Sequence, residues 1–369
     1  MIRVFEPRLT LLDKISVLKS LSKNQISGTS LYVNQFEKEF SKLCDKKYGV
    51  ALSNGSVALD VAFQCLDLKD DDEVILPSHT IISCLSAVIR SGGKPIFCDV
   101  DPVSWNMTLD HVKQKYSKKT KAVLMVHTYG LPSDATAIKN FCDKNDLILI
   151  EDSAEAHGQY ENKKICGSFG LISTFSFYAN KHITTGEGGM LLTDDEDIFN
   201  LAKKMINLDF SEPRFKHNNF YWNYRLSGLQ ASLGLSQLKN LQKIIDKKIE
   251  QGDYYQELFD DSESLFTLPV SEHNGSKNQY WVFGILLNQD GIRDNVIKDL
   301  YEVGIQTRPF FWPLHLQPMI FDDKDNYSDL NVSENLGRNG LYIPIGKHIN
   351  KKDQTFISQN VKMIVKKYI

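Results

Sequence analysis

One lysine, Lys181, follows a run of aromatic and hydroxyl side chains and precedes a glycine-rich stretch. The run at residues 173–178 has the composition of a β-strand, and glycine occupies positions 186, 188 and 189. A lysine held in a dry site can lose its proton and form a Schiff base with an aldehyde. Taken alone, Lys181 is explained as well by a surface lysine whose stem packs on apolar neighbours.

A polar segment at residues 53–56 joins a short apolar run to a helical pattern. The N-terminus of a helix presents unpaired N–H groups and a partial positive charge, and both favour phosphate binding. Gly55 permits close approach of the backbone to such a group, Ser56 adds a hydroxyl, and Ser176 is placed to reach the same phosphate. The alternative is that Ser56 only caps the helix.

An acidic pair, Glu151 and Asp152, ends the apolar run that begins at residue 147. A carboxylate in that position can hold a metal, act as a base or pair with a protonated pyridine nitrogen. No neighbouring cluster has metal-ligand spacing, so no metal is expected. The alternative for Asp152 is an aspartate that caps a helix.

Helical patterns alternate with short apolar runs over residues 35–200. Strands are expected at residues 48–53, 73–76, 95–100, 121–126 and 147–151, and helices at residues 36–44, 56–66, 82–91 and 136–145. This alternation predicts an α/β fold whose mostly parallel sheet is covered by helices on both faces. Ligands of such sheets collect beyond the C-terminal ends of the strands, where the polar segments 53–56, 77–80 and 151–153 are expected.

A continuous amphipathic helical pattern at residues 226–249 is expected to bridge two domains. The chain is long enough for a large domain, residues 1–244, and a smaller C-terminal α/β domain, residues 245–369. The smaller domain is expected to contain a strand at residues 280–287 and helices at residues 292–303 and 334–340.

Composition argues against several classes of function. The 369 residues carry 43 basic and 46 acidic side chains, so no basic field indicates a nucleic-acid partner. The sequence contains no run of about 18 apolar residues, so no membrane span is expected. Residues 1–7 lack the pattern of a signal peptide. Six cysteines without a CxxC pair fit a reducing, cytoplasmic location.

Several segments, taken in order, resemble the signature of the DegT-type nucleotide-sugar aminotransferases. Residues 151–190 carry most of the resemblance, and further matches lie at residues 54–56, 221–226, 228–231, 304–305, 308–315 and 341–345. The resemblance covers nearly the whole chain. It implies the fold-type-I architecture of aspartate aminotransferase, with pyridoxal 5′-phosphate (PLP) as the cofactor.

The resemblance also implies roles for single residues. By it, Lys181 forms the Schiff base with PLP and then moves a proton between the cofactor and the sugar. Asp152 pairs with the pyridine nitrogen and keeps the ring an effective electron sink. The residues that bind the phosphate are Gly55, Ser56 and Ser176.

Further implied roles concern a second subunit and the sugar nucleotide. Asn223 matches a residue that reaches the phosphate of the neighbouring subunit, which implies a homodimer with shared active sites. Residues that lie on the sugar-nucleotide side in relatives are matched by Arg225, Phe311 and His315. Their alternatives are a surface ion pair, a core aromatic and a capping histidine.

Two positions depart from the family pattern. Ile81 stands where relatives often carry an aromatic residue that stacks on PLP, so His79, another ring or an aliphatic contact must cover that face. Glu155 stands where many relatives carry glutamine near the phenolic oxygen of PLP. A glutamate there must be protonated or reoriented to donate a hydrogen bond.

The subgroup most similar to this chain forms perosamine by moving the amino group of L-glutamate to GDP-4-keto-6-deoxymannose. The matching positions are Glu155 and residues 180–181, 183–190 and 310–313. Three alternatives stay open: an aminotransferase for another nucleotide-linked keto-sugar, a PLP-dependent sugar 3-dehydratase, and a regulator without enzyme activity. The dehydratases carry histidine in place of the Schiff-base lysine. Because His182 directly follows Lys181, an alignment error of one residue would reverse the choice between aminotransferase and dehydratase.

Overall fold

The chain folds around two main β-sheets, and its computed structural model describes residues 1–320 and 329–369. The strands are β1 (Tyr48–Leu52), β2 (Glu73–Pro77), β3 (Lys94–Cys98), β4 (Thr120–Val126), β5 (Ile148–Asp152), β6 (Tyr160–Glu161), β7 (Lys164–Ile165), β8 (Ile172–Ser176), β9 (Gly189–Thr193), β10 (Phe266–Thr267), β11 (Glu272–His273), β12 (Ser276–Lys277), β13 (Phe283–Leu287), β14 (Arg308–Pro309) and β15 (Gly340–Ile343). The helices are α1 (Leu11–Ser22), α2 (Leu31–Leu43), α3 (Gly55–Gln64), α4 (Ile82–Arg90), α5 (Leu109–Lys115), α6 (Ala135–Lys144), α7 (Glu196–Met205), α8 (Gly228–Leu238), α9 (Leu241–Leu258), α10 (Arg293–Glu302), α11 (Asn331–Asn339) and α12 (Lys351–Lys366). Short 3₁₀ turns occur at Thr128–Gly130 and Leu314–Leu316.

The larger sheet has the strand order β1-β9-β8-β5-β4-β2-β3. The neighbouring strands from β8 to β3 are parallel, whereas β9 runs antiparallel to both of its neighbours. Strands β2, β4 and β5 are almost entirely buried and rich in branched apolar side chains, as expected of a sheet covered by helices on both faces. The predicted α/β class with a mostly parallel sheet is confirmed.

The C-terminal ends of β1, β2 and β5 lie along one edge of this sheet. After β1, Asn54 caps α3, because its side chain accepts a hydrogen bond from the N–H of Val57 at 2.9 Å. The alternative that Ser56 caps this helix is therefore wrong, and its hydroxyl lies 2.6 Å from that of Ser83 instead. Asp152 precedes turns rather than a helix, so the helix-capping alternative for that residue is wrong as well.

The helical pattern at residues 226–249 is divided between α8 and α9, so the prediction of one continuous helix is wrong. Asn240 lies at the break, and its side-chain amide donates to the carbonyl of Ser236 at 3.2 Å. Asparagine side chains compete in this way for backbone groups and favour helix ends over helix interiors.

The smaller sheet, β10-β13-β15-β14, is antiparallel throughout. Its apolar face packs with α9, α10 and α12 in one buried cluster. The strand predicted at residues 280–287 begins later, at Phe283, because Tyr280 has a φ of 47°, which interrupts an extended backbone. The predicted domain boundary at residues 244–245 falls within α9 and stays a prediction.

None of the helices in the described part of the chain is long and apolar enough to cross a lipid bilayer. The six cysteines are free thiols, and five of them are buried. Burial raises the pKa of all six, so they remain protonated near neutral pH and pack as small apolar side chains. The cytoplasmic location stays a prediction.

Lys248, on α9, is a buried lysine that joins distant parts of the C-terminal half. Its Nζ donates to the carbonyl of Trp281 at 2.9 Å and to that of Ile345 at 3.3 Å. Burial lowers the pKa of Lys248 from 10.5 to about 7. A neutral amine retains two N–H donors, which match these two carbonyl acceptors.

The lowered pKa of Lys248 predicts how the stability of the folded protein changes with pH. Between pH values of about 7 and 10.5 the unfolded chain binds this proton more tightly than the folded protein. The free energy of unfolding of the wild type, relative to Lys248→Met, should therefore rise with pH across that range, by up to about 1.4 kcal/mol per pH unit. Urea unfolding of both proteins at several pH values measures the difference, and a difference independent of pH would contradict the prediction.

Candidate active site

A cavity of about 660 Å³ opens at the C-terminal edge of the larger sheet, where ligands of parallel sheets collect. Its walls come from both halves of the chain. The N-terminal half contributes the segments that follow β1, β2, β5 and β8, and the C-terminal half contributes aromatic side chains and an arginine. Among the lining residues are Ser56, Ser83, Asp152, Glu155, Ser176, Lys181, Trp281, Arg308, Phe311 and Tyr342.

Hydroxyl groups and the N-terminus of α3 converge at one side of the cavity. The hydroxyl oxygens of Ser56 and Ser83 are 2.6 Å apart, and Ser176 lies against Gly55. A Cβ on Gly55 would lie only 2.7 Å from the Cβ of Ser176, so glycine alone lets the helix begin this close to the end of β8. Backbone N–H groups at a helix start, with three hydroxyls beside them, suit a phosphate group.

Asp152 presents a buried carboxylate to the cavity and is 2% exposed. Its Oδ1 accepts a hydrogen bond from the N–H of Ala154 at 3.0 Å, and its Oδ2 lies 3.4 Å from the thiol of Cys84. Burial raises the pKa of the Asp152 carboxyl, and the N–H of Ala154 and the charge of Lys181 offset only part of that effect. Within residues 1–320 and 329–369 it has no ion-pair partner, so it is suited to a cationic ligand.

The adjacent carboxylate, Glu151, is in the opposite situation. Its hydrogen-bond donors are the side chains of His127, Ser153 and Ser173 and the N–H groups of Gly167, Phe169 and Gly170. Burial opposes ionisation, yet these bonds hold the pKa of Glu151 at about 2. Glu151 is therefore a satisfied buried anion with a structural role.

His127, Glu151 and Cys166 lie close enough together to share a metal ion. The Nδ1 of His127 accepts a hydrogen bond from the N–H of Ser133 at 3.0 Å, which leaves its Nε2 to donate to Glu151 at 3.0 Å. Neither imidazole nitrogen then offers a lone pair to a metal. These bonds favour a structural role for the cluster.

Lys181 faces the cavity from the turn after β8. Its Nζ lies 3.2 Å from Oε1 of Glu155 and 3.8 Å from the centroid of the Trp281 ring. The side chain is 9% exposed, so the amine is held in a largely dry site. His182 is buried outside the lining of this cavity, where its ring contacts that of His157. Of the two neighbours, only the lysine lines this cavity.

Glu155 holds both Lys181 and the backbone of the facing turn. Its Oε2 accepts a hydrogen bond from the N–H of Tyr129 at 2.9 Å. Burial raises the pKa of the Glu155 carboxyl, and the nearby Lys181 only partly opposes this. While it is ionised, the Glu155 carboxylate forms an ion pair with the amine of Lys181 through the same Oε1.

Ile81 and His79 are placed differently relative to the cavity. Ile81 lines the cavity, whereas His79 is buried outside the lining against the rings of Tyr129, Phe310 and Phe311. Burial lowers the pKa of His79 to about 3, so its ring is neutral. Ile81, Trp281, Phe311 and Tyr342 all line the cavity, so an aliphatic contact and another ring both stay predictions for the group that covers this face of PLP.

The structure brings most of the predicted site residues to this one cavity: Gly55, Ser56, Asp152, Glu155, Ser176, Lys181 and Phe311. Three others lie outside its lining. Asn223 is exposed and accepts a hydrogen bond from Nε of Arg225 at 2.8 Å. His315 is 3% exposed and lies 2.6 Å from the hydroxyl of Ser78. The roles of Asn223, Arg225 and His315 stay predictions.

Several lining side chains were not predicted, among them Ser83, Trp281, Arg308 and Tyr342. Arg308 and Tyr342 lie within segments that carried the family resemblance, and that was the signal that could have pointed to them. Ser83 and Trp281 had no such signal. A serine in the first turn of a helix and a tryptophan in an apolar stretch are both typical of ordinary structural positions.

Comparison with known proteins identifies the family. Residues 12–362 match the model of the DegT/DnrJ/EryC1/StrS aminotransferase family. The chain belongs to this family. This DegT-family protein is similar to the GDP-perosamine synthase of Escherichia coli O157:H7, with 34% identity over 98% of this chain and 97% of the relative. Its identity to the GDP-perosamine synthase of Vibrio cholerae is also 34%, over 93% of this chain and 94% of the relative.

A solved structure shares the fold along nearly the whole length. The X-ray structure of the aminotransferase from Psychrobacter cryohalolentis superposes with a TM-score of 0.89 at 28% identity, and 98% of each chain is covered. The fold-type-I architecture is confirmed. As a member of the DegT family, the protein is a PLP-dependent nucleotide-sugar aminotransferase, which removes the alternative of a regulator without enzyme activity.

Proposed function

We propose that this enzyme transfers the amino group of L-glutamate to the C4 ketone of GDP-4-keto-6-deoxymannose and so forms GDP-perosamine. The chain is 33–34% identical to three GDP-perosamine synthases over nearly its full length, and this similarity supports the choice of sugar nucleotide. The observation that carries the choice of reaction is that Lys181 faces the cavity while His182 is buried outside it. A lysine in that place supports amino transfer, and a histidine would support 3-dehydration.

The cavity carries a complementary group for each part of PLP. Ser56, Ser176 and the start of α3 would bind the phosphate, and the Asp152 carboxylate would balance a protonated pyridine nitrogen. Lys181 supplies the amine for the aldehyde. When bound, PLP supplies an electron sink that stabilises negative charge on a carbon that has lost a proton.

The chain's own residues then handle the proton. Lys181 acts as general base and general acid, taking the proton at one carbon and delivering it at the other. Glu155, 3.2 Å from the Nζ, balances the charge while the amine is protonated. Trp281, Phe311 and Tyr342 wall the cavity and keep water away, which strengthens each of these electrostatic interactions.

Both substrates are anions, and Arg308 supports their binding. Lys181 and Arg308 supply the ammonium and guanidinium groups of the cavity lining within the described residues. The guanidinium of Arg308 has the planar pair of donors that suits a glutamate carboxylate or a diphosphate. Because the two substrates occupy the cavity in turn, one arginine can serve both.

A homodimer with shared active sites is part of this proposal. Asn223 lies beside two aromatic residues that are far more exposed than is usual, Phe220 at 105% and Trp222 at 65%. Exposed apolar surface of this kind is typical of an interface. A second copy packed on this segment would cover the rings and bring Asn223 towards the neighbouring cavity.

The proposal is tested by giving the purified enzyme PLP, L-glutamate and 4-keto-6-deoxy sugars linked to GDP, UDP or dTDP, with products read by mass spectrometry. We expect the GDP-linked mannose derivative to gain an amine while an equal amount of 2-oxoglutarate forms. Amination of only a UDP- or dTDP-sugar would overturn the substrate and keep the class of reaction. Consumption of the GDP-sugar without an amino sugar would overturn the reaction itself.

A further inference from the structure

Trp281 presents the face of its ring to the amine of Lys181. The Nζ lies 3.8 Å from the ring centroid, while Glu155 contacts the same nitrogen from another side at 3.2 Å. Trp281 is 4% exposed, so little water competes for the amine. An ammonium over the face of an indole is attracted by the negative potential of the ring, and the attraction grows as water is removed.

The indole is held from several directions. Its Nε1 donates to the carbonyl of Asn180 at 3.0 Å, which ties the ring to the residue before Lys181. Its own backbone carbonyl accepts from Lys248 at 2.9 Å. Behind the ring, Tyr129 stacks with centroids 6.2 Å apart and the planes inclined by 20°.

The backbone beside this tryptophan is equally confined. A Cβ at Gly130 would lie 2.6 Å from the backbone nitrogen of Trp281, and Gly130 has a φ of 96°, so this approach requires glycine. The ring is therefore fixed before any ligand binds, and the amine of Lys181 meets a rigid surface.

We propose that Trp281 is a positioning residue that holds the ammonium of Lys181 whenever this amine is not bonded to the cofactor. The inference rests on the assignment of Lys181 as the cofactor lysine in the proposed function. A protonated lysine that is free in a dry cavity would need a defined partner in order to return its proton to the right atom. The indole face and Glu155 together provide that partner.

The test measures the amine of Lys181 directly. Full-length enzyme is loaded with pyridoxamine phosphate, which has no aldehyde and leaves Lys181 free, and is acetylated with acetic anhydride at a series of pH values. Mass spectrometry of the Lys181 peptide gives the labelling rate and its pH midpoint. The variants are Trp281→Leu, Trp281→Phe and the control Trp105→Leu, since Trp105 is similarly buried at 3% but lies outside the cavity lining.

Loss of the ring face should destabilise the ammonium. For Trp281→Leu we expect the midpoint to fall and labelling below the midpoint to quicken by about fivefold. Trp281→Phe keeps a ring face and should restore most of the wild-type midpoint, and Trp105→Leu should leave it unchanged. The other titratable groups near the amine, Asp152, Glu155, His157 and His182, are present in every variant.

The outcomes separate a positioning role from simple shielding. A higher maximum rate with an unchanged midpoint in Trp281→Leu means that the ring only blocked access, and this overturns the proposal. Equal midpoint shifts in Trp281→Leu and Trp105→Leu overturn it too. Trp281→Met replaces the leucine variant if that variant does not fold, with the same expectation. If the pH midpoint of Lys181 labelling shifts in Trp281→Leu but the wild-type enzyme aminates no keto-sugar, the proposed function is wrong and the positioning role of Trp281 is still supported.

Discussion

Replacing Lys181 with alanine is expected to abolish both turnover and the visible absorbance band that arises when the lysine bonds to the aldehyde of PLP. The variant lacks the amine that bonds to the aldehyde and also the group that moves the proton. Loss of the acid–base function alone costs about 10²–10⁴-fold in rate. Absorbance spectra and mass spectrometry of the amino-sugar product measure the two effects, and survival of either would remove Lys181 from the role assigned to it.

Lys46 offers a matched control, because its side chain is 5% exposed against 9% for Lys181. It bonds to the carbonyl of Gly170 and to Asp194, outside the cavity, so Lys46→Ala should keep both the absorbance and the turnover.

The inactive Lys181→Ala chain also tests whether the two subunits share their active sites. Mixed with an inactive Asn223→Ala chain it should regain activity, because one site of the hybrid dimer then has both residues intact. Failure to regain activity would contradict the shared site.

Asp152→Asn is expected to change stability in opposite directions with and without PLP. In the cofactor-free protein it removes a buried carboxylate that has no ion-pair partner among the described residues, so Tm should rise. With PLP the pyridine nitrogen loses its anionic partner, and breaking a buried pair in this way costs about 3–5 kcal/mol. Affinity for PLP should therefore fall by about two to four orders of magnitude, and turnover should fall with it. Thermal unfolding and spectroscopic titration with PLP measure both.

The neighbouring Glu151 supplies the contrast for that experiment. Glu151→Gln disturbs a carboxylate whose oxygens accept hydrogen bonds from three side chains and three backbone N–H groups. Each buried donor left unsatisfied costs about 1–3 kcal/mol, so Tm should fall whether or not PLP is present. If the two adjacent variants responded alike, the assignment of Asp152 to the cofactor would be wrong.

The parts of the site that could be predicted from the sequence are those with a local signal. Asp152 ends one short apolar run and Gly55 lies three residues after another. Such runs become strands of a covered sheet whose C-terminal ends share one edge. No local signal shows which of Lys181 and His182 faces the cavity, because that depends on how the turn after β8 packs. Only the family resemblance supplied that register.

Other features depend on contacts between distant segments. Ser83 meets Ser56 across 27 residues, and Trp281 meets Lys181 from the far half of the chain. Apolar periodicity cannot reveal such pairs, since each residue alone fits an ordinary helix or core position. The break at Asn240 was missed for a related reason: one side chain that competes for a backbone carbonyl ends the helix without changing the apolar pattern.

The origin of the cavity walls also orders events during synthesis. The lining begins at Asn54 and ends at Tyr342, and the covering residues Trp281, Arg308 and Phe311 come late in the chain. Until the final third of the chain has been synthesised, the cavity lacks these walls, so a complete site for the vitamin B6 cofactor requires the C-terminal part of the chain.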